Sequence, residues 1–461
     1  MKSLSETIYL KSPVFIQNLA LSFYGLKLQH IRYGGEYKDY LNKALTHMKY
    51  GDRDLNEYIN TALKLTIRDA ARNVPYYREM FQQLKIKPED IKTVEDLAKI
   101  PLLKKSAIKK DPLKFVNTNY NNRKLICIHT TGTTGTPLKI FCDNRARQTN
   151  YAYYDRFLIN NHINYKGRRG TFGGRIVVPP QQDKPPFWRY SHFQKNMLFS
   201  SYHLTERNIP FYINKLRKFQ PDYIDSYPSS LCTIAAHAQK QGLNLEGLTK
   251  GITTSAETLF SQQRKIIESA FGVPVVDQYG AAEMCMFVGQ CREGKYHIHT
   301  DYGLLEVLRE DGTKAEPGEE GEIVCTGFIN HAMPLIRYSI GDRGILSDRQ
   351  CKCGSRFPVM EKILGRIDDF IITPDGRKIG RLSPVLKGFP IKEAQYIQET
   401  TDELLVLIVK DTGFSHQTEK EIIKELRKRV GMTIALKMKY VDQVKRSSGG
   451  KLRSIISKLK Q

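Results

Sequence analysis

The densest group of residues suited to chemistry lies between Ile128 and Lys139, a stretch rich in threonine and glycine. Its two glycines permit backbone conformations that side chains forbid, and its hydroxyls and backbone N–H groups can donate to phosphate oxygens. Lys139 adds a point charge. The stretch is not a Walker A motif, because G-x-x-x-x-G-K-[ST] is absent. Taken alone, it fits a polyphosphate loop and a polar turn between strands equally well.

The composition indicates a globular protein. With 461 residues, of which 40% are hydrophobic and 10% aromatic, the chain can bury a large core, and its length favours two or more domains. No run approaches about 18 uncharged apolar residues, so we expect no membrane span. We expect a cytoplasmic protein without a signal peptide, because Glu6 and Lys11 interrupt the apolar residues at the N-terminus.

The formal net charge of +24 is compatible with a polyanion or an anionic membrane face as partner. The lysines are spread along the whole chain, and the sequence has no zinc-finger spacing or RNA-binding aromatic motif. We therefore expect no nucleic-acid partner. The eight cysteines are too few for this length to indicate a disulfide scaffold.

Strand and helix patterns alternate from about residue 124 onward. Strands at 124–128 and 138–142 are predicted to form a hairpin around the threonine-rich loop. This alternation predicts a mostly parallel sheet covered by helices, with binding residues at the carboxyl ends of its strands. The further predicted strands are 175–178, 223–226, 251–254 and 273–278, the helices are 209–219, 229–241 and 261–271, and an antiparallel, barrel-like part covers 303–310, 321–326 and 344–346.

The two ends of the chain have different patterns. The first 32 residues are apolar and basic. Such a segment can lie on a membrane surface, although an amphipathic helix packed on the core is the commoner outcome. Helices are expected from 36 to 82, interrupted at Pro75, and a helix-like pattern covers 90–101. Past residue 365, strands at 404–409 and 435–440 around a helix at 417–430 predict a compact α+β unit, followed by a glycine-rich loop that presents Lys451.

Taken together, these motifs resemble the adenylate-forming superfamily of acyl-CoA synthetases, and within it the phenylacetate-CoA ligase-like branch that includes capsular-polysaccharide CapK-type proteins. The resemblance covers nearly the whole chain. Its motifs, in chain order, are a leader at 73–78 and 100–105, the phosphate loop at 129–137, two blocks at 226–231 and 253–259, an adenine and magnesium motif at 277–283, a ribose motif at 337–342, a hinge at 365–369 and a lysine loop at 449–451.

The resemblance implies an α/β fold with a large N-terminal adenylation domain at 1–365. This domain would hold helix-covered sheets and a barrel-like part, and a small, mobile α+β lid would cover 366–461. It also implies ATP-dependent activation of a carboxylic acid to an acyl-adenylate, then transfer to an acceptor, in capsular or surface polysaccharide biosynthesis. The alternative is a non-catalytic nucleotide-binding or assembly partner that retains the fold.

In this reaction a carboxylate must attack the α-phosphorus of ATP, so two anions approach each other and positive charge must be positioned in advance. The resemblance implies a role for each residue in such a site. Glu283 would ligate Mg²⁺, Tyr279 would offer its ring to adenine, and Asp342 would accept from the ribose hydroxyls. Lys451 would bridge the substrate carboxylate and the α-phosphate, with Thr131 and Glu283 as the other catalytic residues. The remaining nucleotide-binding candidates are Thr130, Gly132, Thr133, Thr134, Gly135, Lys139, Ser255, Ala256, Glu257, Gln278, Gly280 and Arg366.

A cluster of cysteine and histidine suggests a structural metal. Cys291, His297, Cys351 and Cys353 supply three thiolates and one imidazole, a closed tetrahedral set suited to Zn²⁺. Some members of the branch carry such a metal, and these stretches resemble theirs. His299 is the alternative imidazole and Cys285 the alternative thiol. The metal would tie the loop after Glu283 to the loop before the hinge.

The acid and its acceptor stay open at this stage. The region from Tyr153 to Phe199 supplies cations and one tryptophan, which could receive a polar, anionic acid such as a uronate or an amino acid, or the phosphates of CoA, or lie on the surface. Those residues are Arg168, Arg169, Arg175, Trp188, Arg189 and His192. The segment after the hinge departs from the usual synthetase pattern, so the acceptor can be CoA or an amine or hydroxyl on a glycan precursor. A homodimer and a peripheral position at the inner membrane face are further options.

Overall fold

The computed structural model describes residues 4–129, 138–257, 259–365, 371–379, 382–386, 389–411, 413–442, 444, 455–457 and 459. The predicted phosphate loop at 130–137, the hinge at 366–370 and the lysine loop therefore lie outside the described residues. No helix among the described residues is long and apolar enough to span a bilayer.

Helices dominate the first part of the chain. They are α1 (Leu4–Lys11), α2 (Val14–Tyr33), α3 (Tyr37–His47), α4 (Asp52–Asn73), α5 (Pro75–Leu84) and α6 (Lys105–Lys110). Pro75 begins α5 because the first turn of a helix does not use its missing N–H. The helix predicted at 90–101 is wrong. This segment, which lies between Pro88 and Pro101, forms two short 3₁₀ turns, Pro88–Asp90 and Glu95–Lys99.

A 12-stranded sheet is the central element of the fold. Its strands are β3 (Arg169–Gly173), β4 (Trp188–Ser191), β5 (Asn196–Ser200), β6 (Tyr223–Ser226), β7 (Ile252–Ser255), β8 (Val275–Gly280), β9 (Phe287–Gln290), β10 (Tyr296–Ile298), β11 (Gly303–Leu308), β12 (Glu320–Gly327), β13 (Tyr338–Ser347) and β14 (Val359–Gly365). Their order is β11-β12-β13-β14-β10-β9-β8-β7-β6-β3-β5-β4. Helices α7 (Asn144–Asn160), α8 (Ile209–Phe219), α9 (Pro228–Lys240) and α10 (Ser261–Phe271) accompany it.

The sheet has a parallel and an antiparallel half. Strands β5, β3, β6, β7 and β8 pair in parallel, whereas β8 through β14 pair antiparallel. The antiparallel prediction for 303–346 is thus confirmed, and these strands continue the same sheet. The strand predicted at 175–178 is wrong. The chain instead forms β3, which begins six residues earlier and contains Gly170 and Gly173, residues more typical of a loop. Strands β4 and β5 were not predicted.

The hairpin and the last part of the chain form smaller sheets. Strands β1 (Ile126–His129) and β2 (Lys139–Cys142) form the predicted antiparallel hairpin, and β15 (Ile371–Ile372) pairs with β16 (Lys378–Ile379). A four-stranded sheet has the order β19-β18-β17-β20. Its strands are β17 (Ile391–Thr400), β18 (Glu403–Lys410), β19 (Ala435–Tyr440) and β20 (Ile455–Ser457), with helix α11 (His416–Val430) between β18 and β19. The predicted α+β unit has this arrangement, and its core is separate from those of the large sheet.

Candidate active site

The carboxyl ends of four parallel strands bring the predicted motifs together. Strands β3, β6, β7 and β8 are neighbours in the sheet, and all four run in the same direction. In their register, Phe172 lies opposite Ser226, and Ser255 lies opposite Gln278. Because the ends of parallel strands meet at one edge, the 226–231 and 277–283 motifs and the described part of the 253–259 motif converge there. We call this edge the strand-end site.

The turn after β7 is held by a contact between two of these motifs. Ala256 has a φ of +72°, the left-handed conformation that a non-glycine residue rarely adopts. The carboxylate Oε2 of the next residue, Glu257, accepts a hydrogen bond from the backbone N–H of Ser229 at 3.2 Å. Ser229 lies in the first turn of α9, where a negative charge is favourable. Glu257 thereby joins the turn after β7 to the helix after β6.

The predicted adenine and ribose residues are in direct contact. The hydroxyl of Tyr279, at the end of β8, donates to Oδ2 of Asp342 on β13 at 2.8 Å. Burial, followed by the neighbouring carboxylate of Asp342, raises the pKa of Tyr279 well above its usual value. The phenol therefore stays protonated and donates. This pair fixes the aromatic ring beside a carboxylate, on strands that are 63 residues apart in sequence.

Glu283 is a buried carboxylate with a cation and a hydroxyl beside it. Only 5% of the residue is exposed. Its Oε1 accepts a hydrogen bond from the hydroxyl of Tyr338 at 3.1 Å and lies 3.7 Å from Nζ of Lys105. Lys105 is the last residue of the leader segment, in which Leu103 bridges to Tyr338 in parallel and exchanges backbone hydrogen bonds with Arg337 and Ser339. The leader therefore places a lysine at the predicted magnesium ligand.

Lys139 begins the second strand of the β1–β2 hairpin. It is exposed and lies opposite His129 in the register, so these two residues flank the predicted phosphate loop. The hairpin is anchored by Asn330, whose side-chain amide donates to the carbonyl oxygen of Phe141 at 3.0 Å. The other candidates on or near this loop and in the C-terminal part are Thr130, Thr131, Gly132, Thr133, Thr134, Gly135, Arg366 and Lys451, and all of them lie outside the described residues.

The predicted metal ligands form one cluster. The ligand atoms of Cys291, His297, Cys351 and Cys353 all lie within 4.8 Å of one another. The Sγ atoms of Cys291 and Cys351 are 3.6 Å apart, and Sγ of Cys353 is 3.3 Å from Nε2 of His297. The other ring nitrogen of His297, Nδ1, lies 3.0 Å from the carbonyl oxygen of Phe357, which fixes Nδ1 as the donor. Nε2 can then act as a metal ligand.

The two alternative ligands lie elsewhere. His299 contacts Arg156 and stacks on Phe357 at a centroid distance of 5.2 Å, so its ring belongs to a buried charged network. The anchor of this network is Asp301, whose carboxyl accepts two hydrogen bonds from Arg156 and lies 2.9 Å from Nδ1 of His47. Cys285 belongs to the hydrophobic core of the sheet.

A polar network between the cysteine cluster and the strand-end site was missed by sequence reasoning. Gln290 precedes Cys291, and its Oε1 accepts from the backbone N–H of Asp277 at 3.0 Å. The carboxylate of Asp277 in turn accepts from the hydroxyls of Thr254 at 2.5 Å and Tyr296 at 2.7 Å. No sequence spacing predicts these contacts, because they cross strands β7, β8, β9 and β10. They join the cluster to the strand that carries Tyr279.

The cations proposed for the acid pocket are not gathered at the strand ends. Arg189 is buried on the edge strand β4, where it donates to the side chains of Gln17 and Gln182 and to the carbonyl of Pro186. Trp188 and His192 lie on or just after the same strand. Arg169 begins β3, at the amino end opposite the site, and is partly buried, with Tyr223 opposite it in the register. The suggestion that these residues line the pocket is therefore wrong for Arg189 and for Arg169.

Comparison with known proteins agrees with this architecture. Residues 371–458 match the family model of the CapK C-terminal domain. The chain is 29% identical to "Protein CapK" of Staphylococcus aureus over 98% of its length and 99% of that protein. It is 26% identical to a phenylacetate-coenzyme A ligase of Thermus thermophilus, over 86% of this chain and 94% of the relative.

Over nearly its whole length the chain is therefore similar to the phenylacetate-CoA ligase-like and CapK-type proteins. A solved 2-hydroxyisobutyryl-CoA ligase shares its fold, with a TM-score of 0.61, 18% identity, and coverage of 89% of this chain and 91% of that one. The predicted fold class is thereby confirmed. The Thermus thermophilus relative and the solved structure are both named as CoA ligases.

Proposed function

We propose that the protein activates a small carboxylic acid as its acyl-adenylate at the strand-end site and then passes the acyl group to an acceptor. The observation that carries the proposal is the contact between Tyr279 and Asp342 at the carboxyl ends of the parallel strands. An aromatic face and a carboxylate held together in this way suit an adenine ring and the two hydroxyls of a ribose. Ser255, Gln278 and Gly280 lie on the adjoining strand ends.

The triphosphate would extend from this pair toward the β1–β2 hairpin. Lys139 and the threonine-rich loop before it would hold the β- and γ-phosphates, with Thr131 among the catalytic contacts. Residues 1–365 would form the adenylation domain, and residues 366–461 would form the lid. Lys451 would arrive from the lid to neutralise charge between the acid and the α-phosphate, while Asp368 and Arg366 would belong to the hinge.

Glu283 has the chemistry of a magnesium ligand. Mg²⁺ in nucleotide sites takes one or two carboxylates together with phosphate oxygens and water. Glu283 offers one carboxylate, held by Tyr338 and placed 3.7 Å from the ammonium group of Lys105. A bound Mg²⁺ would neutralise phosphate charge. Lys105 would balance Glu283 before the nucleotide arrives and would contact phosphate once Mg²⁺ takes the carboxylate.

The four-residue cluster fits structural Zn²⁺. Three sulfurs and one imidazole nitrogen within 4.8 Å of one another match a tetrahedral site, in which sulfur ligands lie about 2.3 Å from the metal. The contact of His297 Nδ1 with the Phe357 carbonyl supplies the usual support for a ligating imidazole. Zn²⁺ would close the loop between β13 and β14 onto the end of β9. This role supports the site without entering the reaction.

CoA is the acceptor with most support, because the matched 2-hydroxyisobutyryl-CoA ligase is described in complex with an acyl-adenylate and CoA. An amine or a hydroxyl on a glycan precursor is the alternative, and the similarity to CapK favours a place in capsular or surface polysaccharide biosynthesis. The acid is to be sought among aromatic, amino and uronic acids.

The experiment is a pyrophosphate-exchange screen of the full chain with Mg²⁺ and ATP across those three classes of acid. We expect exchange that depends on one class, followed by thioester formation when CoA is added. Lys451→Ala and Glu283→Ala should abolish the exchange. If the wild-type protein is inactive with every acid and binds no ATP, the proposal fails. If both variants retain the protein's function in the cell, a non-catalytic partner is the correct interpretation.

A further inference from the structure

Helix α2 packs against the domain through its polar face. Its buried residues are Gln17, Ser22, Gly25 and Arg32. The side-chain oxygen of Asn18 accepts a hydrogen bond from the backbone N–H of Tyr190 at 2.9 Å. The hydroxyl of Ser22 accepts one from the backbone N–H of His192 at 3.0 Å. These contacts cover β4, the edge strand of the large sheet, whose backbone N–H groups need partners.

The opposite face of the same helix is apolar and exposed. Phe15, Leu19, Phe23 and Leu26 recur at the spacing of one helical face and are 69%, 53%, 60% and 47% exposed. Phe193, at the tip of the β4–β5 hairpin, lies 6.5 Å from Phe23 between ring centroids and extends this surface. The prediction of a helix packed by its apolar face is therefore wrong. The helix packs, but with the polar face inward, because the edge strand requires hydrogen-bonding partners.

Cations and no acids accompany this apolar face. The sequence from residue 7 to residue 35 contains neither aspartate nor glutamate. Lys11, Lys27 and His30 are exposed, and Lys27 and His30 follow Leu26 on the outer side of the helix. Exposed apolar side chains flanked by cations are the composition of a helix that lies in the plane of an anionic membrane surface.

We propose that the outer face of α2, together with Phe193, docks on an anionic phospholipid surface. A helix of 20 residues is about 30 Å long, so it would lie along the surface with its phenylalanines among the acyl chains and with Lys27 and His30 at the headgroups. A second copy of the chain fits less well. A two-fold interface uses the same patch of both copies, so it would gather Lys11, Lys27 and His30 of both copies in one place, on a protein that already carries a charge of +24.

The test is co-sedimentation of the full chain with vesicles, without ATP or acid, so that it is independent of the proposed ligase activity. We expect binding to phosphatidylcholine vesicles that contain about one quarter phosphatidylglycerol, and binding that weakens as salt is added. Phe15→Ser with Phe23→Ser should lower the partition coefficient at least about tenfold, because two large apolar side chains no longer enter the lipid. Lys11→Gln with Lys27→Gln should remove most of the salt dependence.

The matched control is Leu65→Ser with Leu113→Ser, which removes side chains 59% and 51% exposed on other surfaces and should leave binding unchanged. Thermal melting of each variant checks that it folds. The proposal is overturned if the wild-type chain does not bind these vesicles, or if the double phenylalanine variant binds as tightly. A third result would assign the face to a second copy of the chain instead. In that case the wild-type chain is a dimer, the double phenylalanine variant is a monomer, and neither protein binds lipid.

Discussion

The strand-end site and the β4 edge belong to one sheet, yet they use polar residues in opposite ways. At the strand ends, Tyr279, Asp342 and Glu283 hold polar atoms that we propose contact the nucleotide and its metal. At the β4 edge, the polar atoms of Gln17 and Ser22 form hydrogen bonds within the protein, and apolar side chains of the same helix face outward. The difference shows that polar residues in a sequence indicate a binding site only where the fold leaves their polar atoms accessible to a ligand.

The largest effect is expected at Glu283. Glu283→Gln keeps the shape of the side chain and its acceptor for Tyr338, but it removes the charge that a magnesium ion needs. Pyrophosphate exchange should fall about 100-fold or more, with little change in melting temperature. Glu320→Gln, an exposed acid of the same sheet, is the control and should keep full activity. If both variants exchange equally well, Glu283 has no role at the strand ends.

The cysteine cluster should show the next largest effect, in metal content and stability. We expect about one zinc ion per chain by elemental analysis. Cys291→Ser and Cys353→Ser should each lose it and lower the melting temperature by several degrees, because the metal closes two loops. Cys127→Ser, which changes an exposed thiol outside the cluster, should keep the metal. Zinc retained by both cluster variants would contradict this assignment.

Lys105 should have an intermediate effect. Lys105→Met keeps most of the packing of the side chain but removes the cation 3.7 Å from Glu283. We expect roughly a tenfold loss of activity, seen mainly as a weaker affinity for ATP, because the lysine would otherwise contact phosphate. Lys104→Met, one residue earlier and exposed, is the control. If Lys105→Met binds ATP as tightly as the wild-type protein, the lysine does not contact phosphate and only neutralises the charge of Glu283.

The smallest effect is expected from the hydroxyl of Tyr279. Tyr279→Phe removes the hydrogen bond to Asp342 and keeps the ring, so ATP affinity should fall only about fivefold, in line with about 1 kcal/mol for one hydrogen bond. Tyr279→Ala should weaken it further by removing the stacking face. Titration of ATP by calorimetry compares the two, and equal affinities would show that the ring does not contact adenine.

The sequence was most informative where a short pattern determines the structure. The helices at 209–219 and 261–271 were predicted correctly, because their apolar residues recur on one face. The motif residues Ser255 and Gln278 meet because parallel strands end at the same edge. The two predicted strands on either side of the threonine-rich loop placed Lys139 at a hairpin.

Long-range partners could not be predicted from the sequence. Arg189 looked like a pocket cation, but Gln17, 172 residues earlier, receives its hydrogen bond. The pairing of Gln290 with Asp277 and the ion pair of Lys105 with Glu283 likewise depend on which strands are neighbours. The outward face of α2 was predicted wrongly, because the periodicity of a helix shows that it has two faces and does not show which one is buried.

The most direct test of the central claim is the affinity of the full chain for ATP with Mg²⁺, compared with that of Asp342→Ala. If the joined strand ends hold the nucleotide, the wild-type protein will bind ATP and the variant will bind it at least about tenfold more weakly, at an unchanged melting temperature. Equal affinity in both proteins, or no binding by the wild-type protein, would contradict the account.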